Sequence, residues 1–320
     1  MRSGCQVAGS EGEGTCFESH ADRNADRMEQ VKAEVAYPCR SVVGEACTWD
    51  PAARVLYWVD ILDRKVYCFH PRSGSNTGWD VPAHVGCAAP REGGGLVLAL
   101  QTGFALLDLE SGEVSSVADP EADLPGNRFN DGKCDPQGRF WAGTMAYALT
   151  PGAGSLYCLD QDHKVTTGIR GVTLSNGLCW NQDSSRFYFI DSATSRVQGY
   201  EYHAGSGDIA HGYTVAEIPA EMGVPDGMAI DEEGYLWVAL WGGGKVIRID
   251  PDTGSVVFEV LVPADQVTCA AFGGESLDQL YITTADYQRS AHDAQRQPLA
   301  GSLFRARVPF RGAAVPAYRG

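Results

Sequence analysis

Lysine is scarce in this chain: five of its 320 residues are Lys, and 25 basic side chains face 41 acidic ones, for a formal net charge of −16. No basic cluster occurs, which argues against nucleic acid as a partner, because phosphate binding rests on grouped Lys and Arg. No apolar run reaches 18 residues, so no membrane-spanning helix is expected. Residues 1–34 lack the apolar core of a secretory signal. The ten cysteines are scattered, with no Cys-x-x-Cys pair and no His at zinc spacing. Several fall inside apolar runs, where a free Cys behaves as a small hydrophobe. Gly-x-Ser-x-Gly, His-Glu-x-x-His and Walker motifs are also missing. The expectation is a soluble, reduced, cytoplasmic protein, a monomer or weak homo-oligomer, without nucleic-acid or membrane partners.

What is present excludes global disorder: 44% of the residues are apolar. Residues 1–34 are polar and read as a disordered extension, with a short helix near Asp26–Glu34. From residue 35 onward, short Val, Ile, Leu and aromatic runs alternate with Gly, Pro, Asp and Asn turns, an all-β pattern. The segments RVLYWVD, GGLVLAL, GRFWAGT, SRFYFID, GYLWVAL and DQLYITT resemble one another. Their anchors Leu56, Leu96, Phe140, Phe187, Leu236 and Leu280 lie 40, 44, 47, 49 and 44 residues apart. Each unit has room for about four short strands, the size of a propeller blade. Residues 35–320 therefore read as an all-β, six-bladed β-propeller, with residues 35–43 placed to complete the last blade beside SLFRARV. A pair of packed sheets is the competing architecture, and six units in register count against it.

Just upstream of four anchors, an oxygen-bearing residue precedes a second Asp or Asn by five positions. The pairs are Glu45 with Asp50, Asn130 with Asp135, Asn176 with Asn181, and Asp226 with Asp231. Five strand residues span roughly 17 Å. All four leading residues should therefore sit at one end of equivalent innermost strands and converge on the central channel. Units two and six carry VGCAAP and TCAAFG at this phase and add no carboxylate. Taken singly, Asn176-Gly177 and Asp226-Gly227 are ordinary hairpin-turn pairs, and a lone Glu45 is a surface charge. The recurrence at one phase of the repeat favours a shared site instead. Two carboxylates and two amides suit a hard divalent cation such as Ca2+, Mg2+ or Mn2+, with positions left for water or substrate. Zn2+ and Fe2+ also remain open, although no His supports them.

The stretches Asn127-Arg128-Phe129-Asn130-Asp131-Gly132-Lys133, Ser175-Asn176-Gly177-Leu178, Val224-Pro225-Asp226-Gly227-Met228, Leu236-Trp237-Val238-Ala239 and Ala271-Phe272-Gly273-Gly274 resemble the regucalcin (senescence marker protein) and gluconolactonase family, in order from about residue 40 to 310. The resemblance implies a six-bladed propeller that opens sugar lactones with one divalent metal ion in its channel. It also implies Glu45, Asn176 and Asp226 as metal ligands, and Arg128 and Asn130 as substrate contacts. Where regucalcin-like members carry a sugar-contacting Glu after Gly-Thr-Met, this chain has Ala146, Tyr147 and Ala148. Tyr147 is the candidate replacement. The segment Ala239-Leu240-Trp241-Gly242-Gly243 is closer to bacterial sugar-acid lactonases, and Trp241 is a candidate wall residue.

On this reading the cation polarises the lactone carbonyl, and Asp226 is the catalytic general base toward water. Three alternatives use the same scaffold: a calcium-binding regulator without turnover, a phosphotriesterase-type propeller hydrolase, and an interaction propeller of WD-repeat type. The converging polar residues count against the last. Asp191 follows an apolar strand; an approach to the channel is open to it, and a turn role is favoured.

Overall fold

Each sequence unit forms an antiparallel sheet, because runs of β-branched and aromatic residues are separated by turns short enough to force hairpins. The structure, a computed structural model, describes residues 28–320. Blade one comprises Gly44–Asp50, Val55–Asp60, Lys65–His70 and Ser75–Asp80, paired in that order. The first strands of the following five blades are Val85–Pro90, Asn127–Cys134, Ser175–Trp180, Val224–Ile230 and Val267–Gly273. Each first strand touches the first strands of both neighbouring blades, so these six line the axis. Burial follows the same order. Gly44–Asp50 and Val55–Asp60 are buried almost throughout, whereas Ser75–Asp80 is largely exposed.

The ring closes as the sequence led one to expect. Glu34–Tyr37 pairs antiparallel with Leu303–Arg307, Val35 opposite Phe304, and becomes the outer strand of blade six. One expectation needs correcting: Glu29–Lys32 is not helical. It pairs in parallel with Val256–Leu261 as a fifth strand of blade five. The outer edge of that blade presents unpaired backbone groups, and Val31 packs on the blade five and six core. A segment this short gains more from such an edge than from an isolated helical turn. The propeller thus begins near residue 29 rather than 35. The rest of the expected disordered extension, residues 1–27, lies outside the described residues.

Aromatic side chains fill the wedges between blades. Trp49 of blade one stacks on Tyr281 of blade six at 5.8 Å, and Trp237 of blade five meets Phe272 of blade six edge-on at 5.2 Å. Burying one such side chain contributes about 1.5–3 kcal/mol. All eight described cysteines are free and seven are buried, in keeping with their reading as small hydrophobes.

The second member of each five-position pair anchors a hairpin. Asp135 Oδ1 accepts from the Gln137 and Arg139 backbone N–H groups. Its Oδ2 accepts from Arg139 Nε, from Trp141 Nε1 at 2.9 Å and from the Tyr202 hydroxyl at 2.7 Å. Asp231 repeats the device with Trp237 and Arg248. At this end of the channel the C-terminal segment crosses the propeller: Gly312 bridges to Asp231 and Tyr318 to Arg91. Tyr318 is fully buried, and Ala313–Pro316 cover a cavity of only about 70 Å3. The opposite mouth holds the larger cavity described next.

Candidate active site

The six innermost strands share one irregularity. Pairing slips between Glu45 and Thr48, Phe129 and Gly132, Ser175 and Leu178, and Pro225 and Met228. In blades two and six it slips around Gly86 and Thr268. Gly86, Asn130, Asn176, Asp226 and Thr268 therefore lie in equivalent bulges, and Glu45 stays paired opposite Val59 at the edge of the blade-one bulge over Ala46 and Cys47. A bulge frees residues from the ladder and re-aims their side chains. This resolves the Asn-Gly and Asp-Gly pairs: they are bulges rather than hairpin turns. The glycines answer to packing. A Cβ on Gly177 would stand 2.5 Å from Met228 Cβ, and one on Gly227 2.7 Å from Cys269 Cα. Gly86 brings no side chain, and Thr268 spends its hydroxyl on the Gly44 carbonyl at 2.6 Å.

Glu45, Arg128, Asn130, Tyr147, Asn176 and Asp226, all expected from sequence, line a single cavity of about 400 Å3, together with Trp241. Glu45, Asn130, Asn176 and Asp226 are buried at its floor. Asp60 and Asp191 aim two of these strands. Asp60 accepts from the Val42 and Val43 N–H groups just before Glu45, and Asp191 from Thr173 and Leu174 just before Asn176. Asp191 is the last residue of the strand Arg186–Asp191 rather than a turn residue, and its carboxylate also caps the turn Ser192–Thr194. Asn130 Nδ2 donates to Asn176 Oδ1 at 3.0 Å, while Asn130 Oδ1 accepts from Arg128 at 2.7 Å. Asn176 Nδ2 donates to Ser192 Oγ at 2.8 Å, and that hydroxyl donates to the Pro225 carbonyl at 2.6 Å. The chain runs from Arg128 to the residue before Asp226 and fixes the rotation of each amide.

The electrostatics are strained. Burial, then the charge of Asp131, lifts the Glu45 carboxyl to about 8. Burial, then Glu45 and Asp131, pushes Asp226 well above the carboxylate range, and the Glu45 and Asp226 carboxyls are within hydrogen-bonding reach of each other. Asp131 is raised by its own burial, and its Oδ2 has no partner. Arg128 is lowered by burial and keeps a buried Nε without a partner. Carboxyls this close share a proton unless a cation lies between them. The donor set, two carboxylates and an amide oxygen from Glu45, Asp226 and Asn176, fits a hard divalent cation. Among the described residues no three His, Cys, Asp or Glu gather as a metal cluster. The amide completes this set.

Sequence reasoning missed four contributors. Asp131 lies beside the flagged Asn130, and Ser192 directly follows Asp191. His84 precedes the strand that holds Gly86, and its Nδ1 hydrogen-bonds the Tyr147 hydroxyl. Tyr287 closes another side of the cavity. Only Asp131 lies on an innermost strand, next to a flagged position, and the other three lie in connections between strands. Among the described residues no helix is long and apolar enough to cross a membrane.

Fold and site together define a six-bladed propeller with a single oxygen-rich centre in its channel. Residues 43–286 match the SMP-30/Gluconolactonase/LRE-like region, and the chain belongs to that family. It is 40% identical to regucalcin of Gallus gallus over 283 residues, 87% of this chain and 95% of that protein. It is 38% identical to the Bacillus subtilis protein named "Putative sugar lactone lactonase YvrE", covering 85% of this chain and 96% of the other. The crystal structure of a calcium-binding protein, regucalcin, from Agrobacterium tumefaciens superposes with a TM-score of 0.87 at 31% identity, over 91% of this chain and 99% of that one.

Proposed function

We propose that the protein is a divalent-metal-dependent hydrolase that opens a sugar lactone, D-glucono-1,5-lactone or a related aldonolactone, to its hydroxy acid. The observation that carries this reading is the convergence of Glu45, Asn176 and Asp226 with Arg128 and Asn130 on the floor of one cavity. Family membership and the likeness to a protein named as a sugar lactone lactonase support it. A cation held by Glu45, Asn176 and Asp226 (Ca2+, Mg2+, Mn2+, Zn2+ or Fe2+) would balance the two carboxylates and supply Lewis-acid polarisation of the lactone carbonyl.

The remaining work falls to the chain. Arg128 stays protonated and offers N–H groups to the lactone oxygens, holding the ring with its carbonyl toward the floor. Asn130, clamped between Arg128 and Asn176, keeps both in register. Asp226 accepts a proton from the attacking water as the new C–O bond forms. The ring C–O bond then breaks, and its oxygen leaves as a hydroxyl with that proton. Acid release from D-glucono-1,5-lactone, corrected for spontaneous opening, tests the reading. Asp226→Asn should lower kcat about 10²–10⁴-fold in a chain that still unfolds cooperatively, and chelation should abolish turnover reversibly. Full activity in Asp226→Asn refutes the assignment. Cation binding without turnover of any lactone would instead make the protein a cation-binding propeller.

A further inference from the structure

This inference rests on the lactonase reading and concerns what the cavity walls select. A polyol needs walls that exchange hydrogen bonds with its hydroxyls, because a buried hydroxyl without a partner is penalised. Here each wall hydroxyl already has at least one partner within the protein, and most of the wall is carbon. The Tyr147 hydroxyl is paired with His84, and its ring lines the cavity with the Arg128 guanidinium 5.8 Å from the ring centroid. The Tyr287 hydroxyl accepts from Gln288 Nε2 at 2.8 Å, and Ser192 is spent between Asn176 and Pro225. Trp241 contributes one N–H donor. The other wall residues are all apolar, Leu149, Val224, Met145 and Val43 among them.

Leu149 adds an independent observation. It sits at the cavity wall with φ +51° and 52% of its surface exposed. A branched apolar residue is disfavoured in that backbone region, where Gly or Asn sits readily. It is equally disfavoured facing water, yet Tyr147 and Val224 beside the same cavity are each 41% exposed as well. Strained backbone that persists points toward a functional constraint. An apolar group of the substrate would give these side chains the partner they lack.

We propose that the cavity selects lactones whose exocyclic arm is apolar. The ring carbonyl is held at the polar floor, and the arm packs against Leu149, the Tyr147 ring and Val224. The reaction is the same hydrolysis; only the substituent differs.

The test compares D-glucono-1,5-lactone with its 6-deoxy analogue, which replaces one arm hydroxyl by hydrogen and leaves the ring unchanged. Acid release is followed with the metal-replete full chain, as wild type and as Leu149→Asn. Asn suits the left-handed backbone, so the variant should keep its melting temperature. The expected result is a kcat/KM about 10–100-fold higher for the deoxy lactone. Leu149→Asn should shrink that ratio several-fold, chiefly through KM. A wild type that opens gluconolactone as well as or better than the deoxy lactone overturns the inference while leaving the lactonase reading intact. So does a folded Leu149→Asn with an unchanged ratio. Opening of neither lactone by the wild type overturns the lactonase reading itself.

Discussion

Removing divalent cations should make the stability of this protein fall as pH rises, and Glu45 sets the scale. Its carboxyl is lifted from 4.5 to about 8, first by burial and then by Asp131. The folded state therefore keeps the Glu45 proton at pH values where the unfolded chain has lost it. Below about pH 4.5 neither state is ionised at this position and its full contribution is present. Between pH 4.5 and about 8 the contribution is lost, at about 1.4 kcal/mol per pH unit, or on the order of 5 kcal/mol in all. Asp226 is displaced in the same direction. Asp108, Asp183 and Asp293 are held below the usual range, chiefly by hydrogen bonds from Ser111, Ser185 and Ser290, so they act at lower pH. For a chain of this size 1 kcal/mol moves the melting temperature by about 2 °C. From pH 5 about 4 kcal/mol of this remains to be lost, so chelated protein should melt about 8 °C lower at pH 8.5 than at pH 5, as read by calorimetry. A saturating divalent cation should flatten the profile. Glu45→Gln should lessen the slope in chelated protein, with Asp60 and Asp131, both raised by burial, supplying a remainder. Equal melting temperatures at the two pH values, or an unaltered slope in Glu45→Gln, would refute the account of two buried carboxyls awaiting a cation.

Two further outcomes follow from the packing around the site. Gly177→Ala places a methyl 2.5 Å from Met228 Cβ, between two innermost strands that cannot easily separate. It should cost about 1–3 kcal/mol in urea denaturation, and an unshifted midpoint would contradict the tight-bulge explanation. Ser192→Ala frees the Asn176 amide by removing the acceptor at 2.8 Å. Cation affinity measured by calorimetric titration should weaken about 10–100-fold, and an unchanged affinity would show that Ser192 does not orient the amide.

Much of this was legible in the primary structure because it is periodic or local. The 40–49-residue intervals between anchors announced six blades. The five-position pairs announced that Glu45, Asn130, Asn176 and Asp226 share one end of equivalent strands. The strand Glu29–Lys32 was not legible: its four residues become a strand only because the edge of blade five is free to pair. The use of the Tyr147 hydroxyl was not legible either, because it depends on His84, 63 positions away in sequence. Asp131 could be seen in the NDGK run, but its burial beside two other carboxyls could not.

The order of apolar runs and turns determined the blade number, the strand that closes the ring and the phase at which oxygen donors recur. These follow from backbone preference and repeat length, which act along the chain. Tertiary structure alone decided that the recurring Asn-Gly and Asp-Gly pairs are bulges, that Glu45 and Asp226 line one cavity with the buried charge of Asp131 acting on both, and that most of the wall around them is apolar. Those properties depend on which groups from different blades meet out of reach of water, and only closure of the ring brings them together.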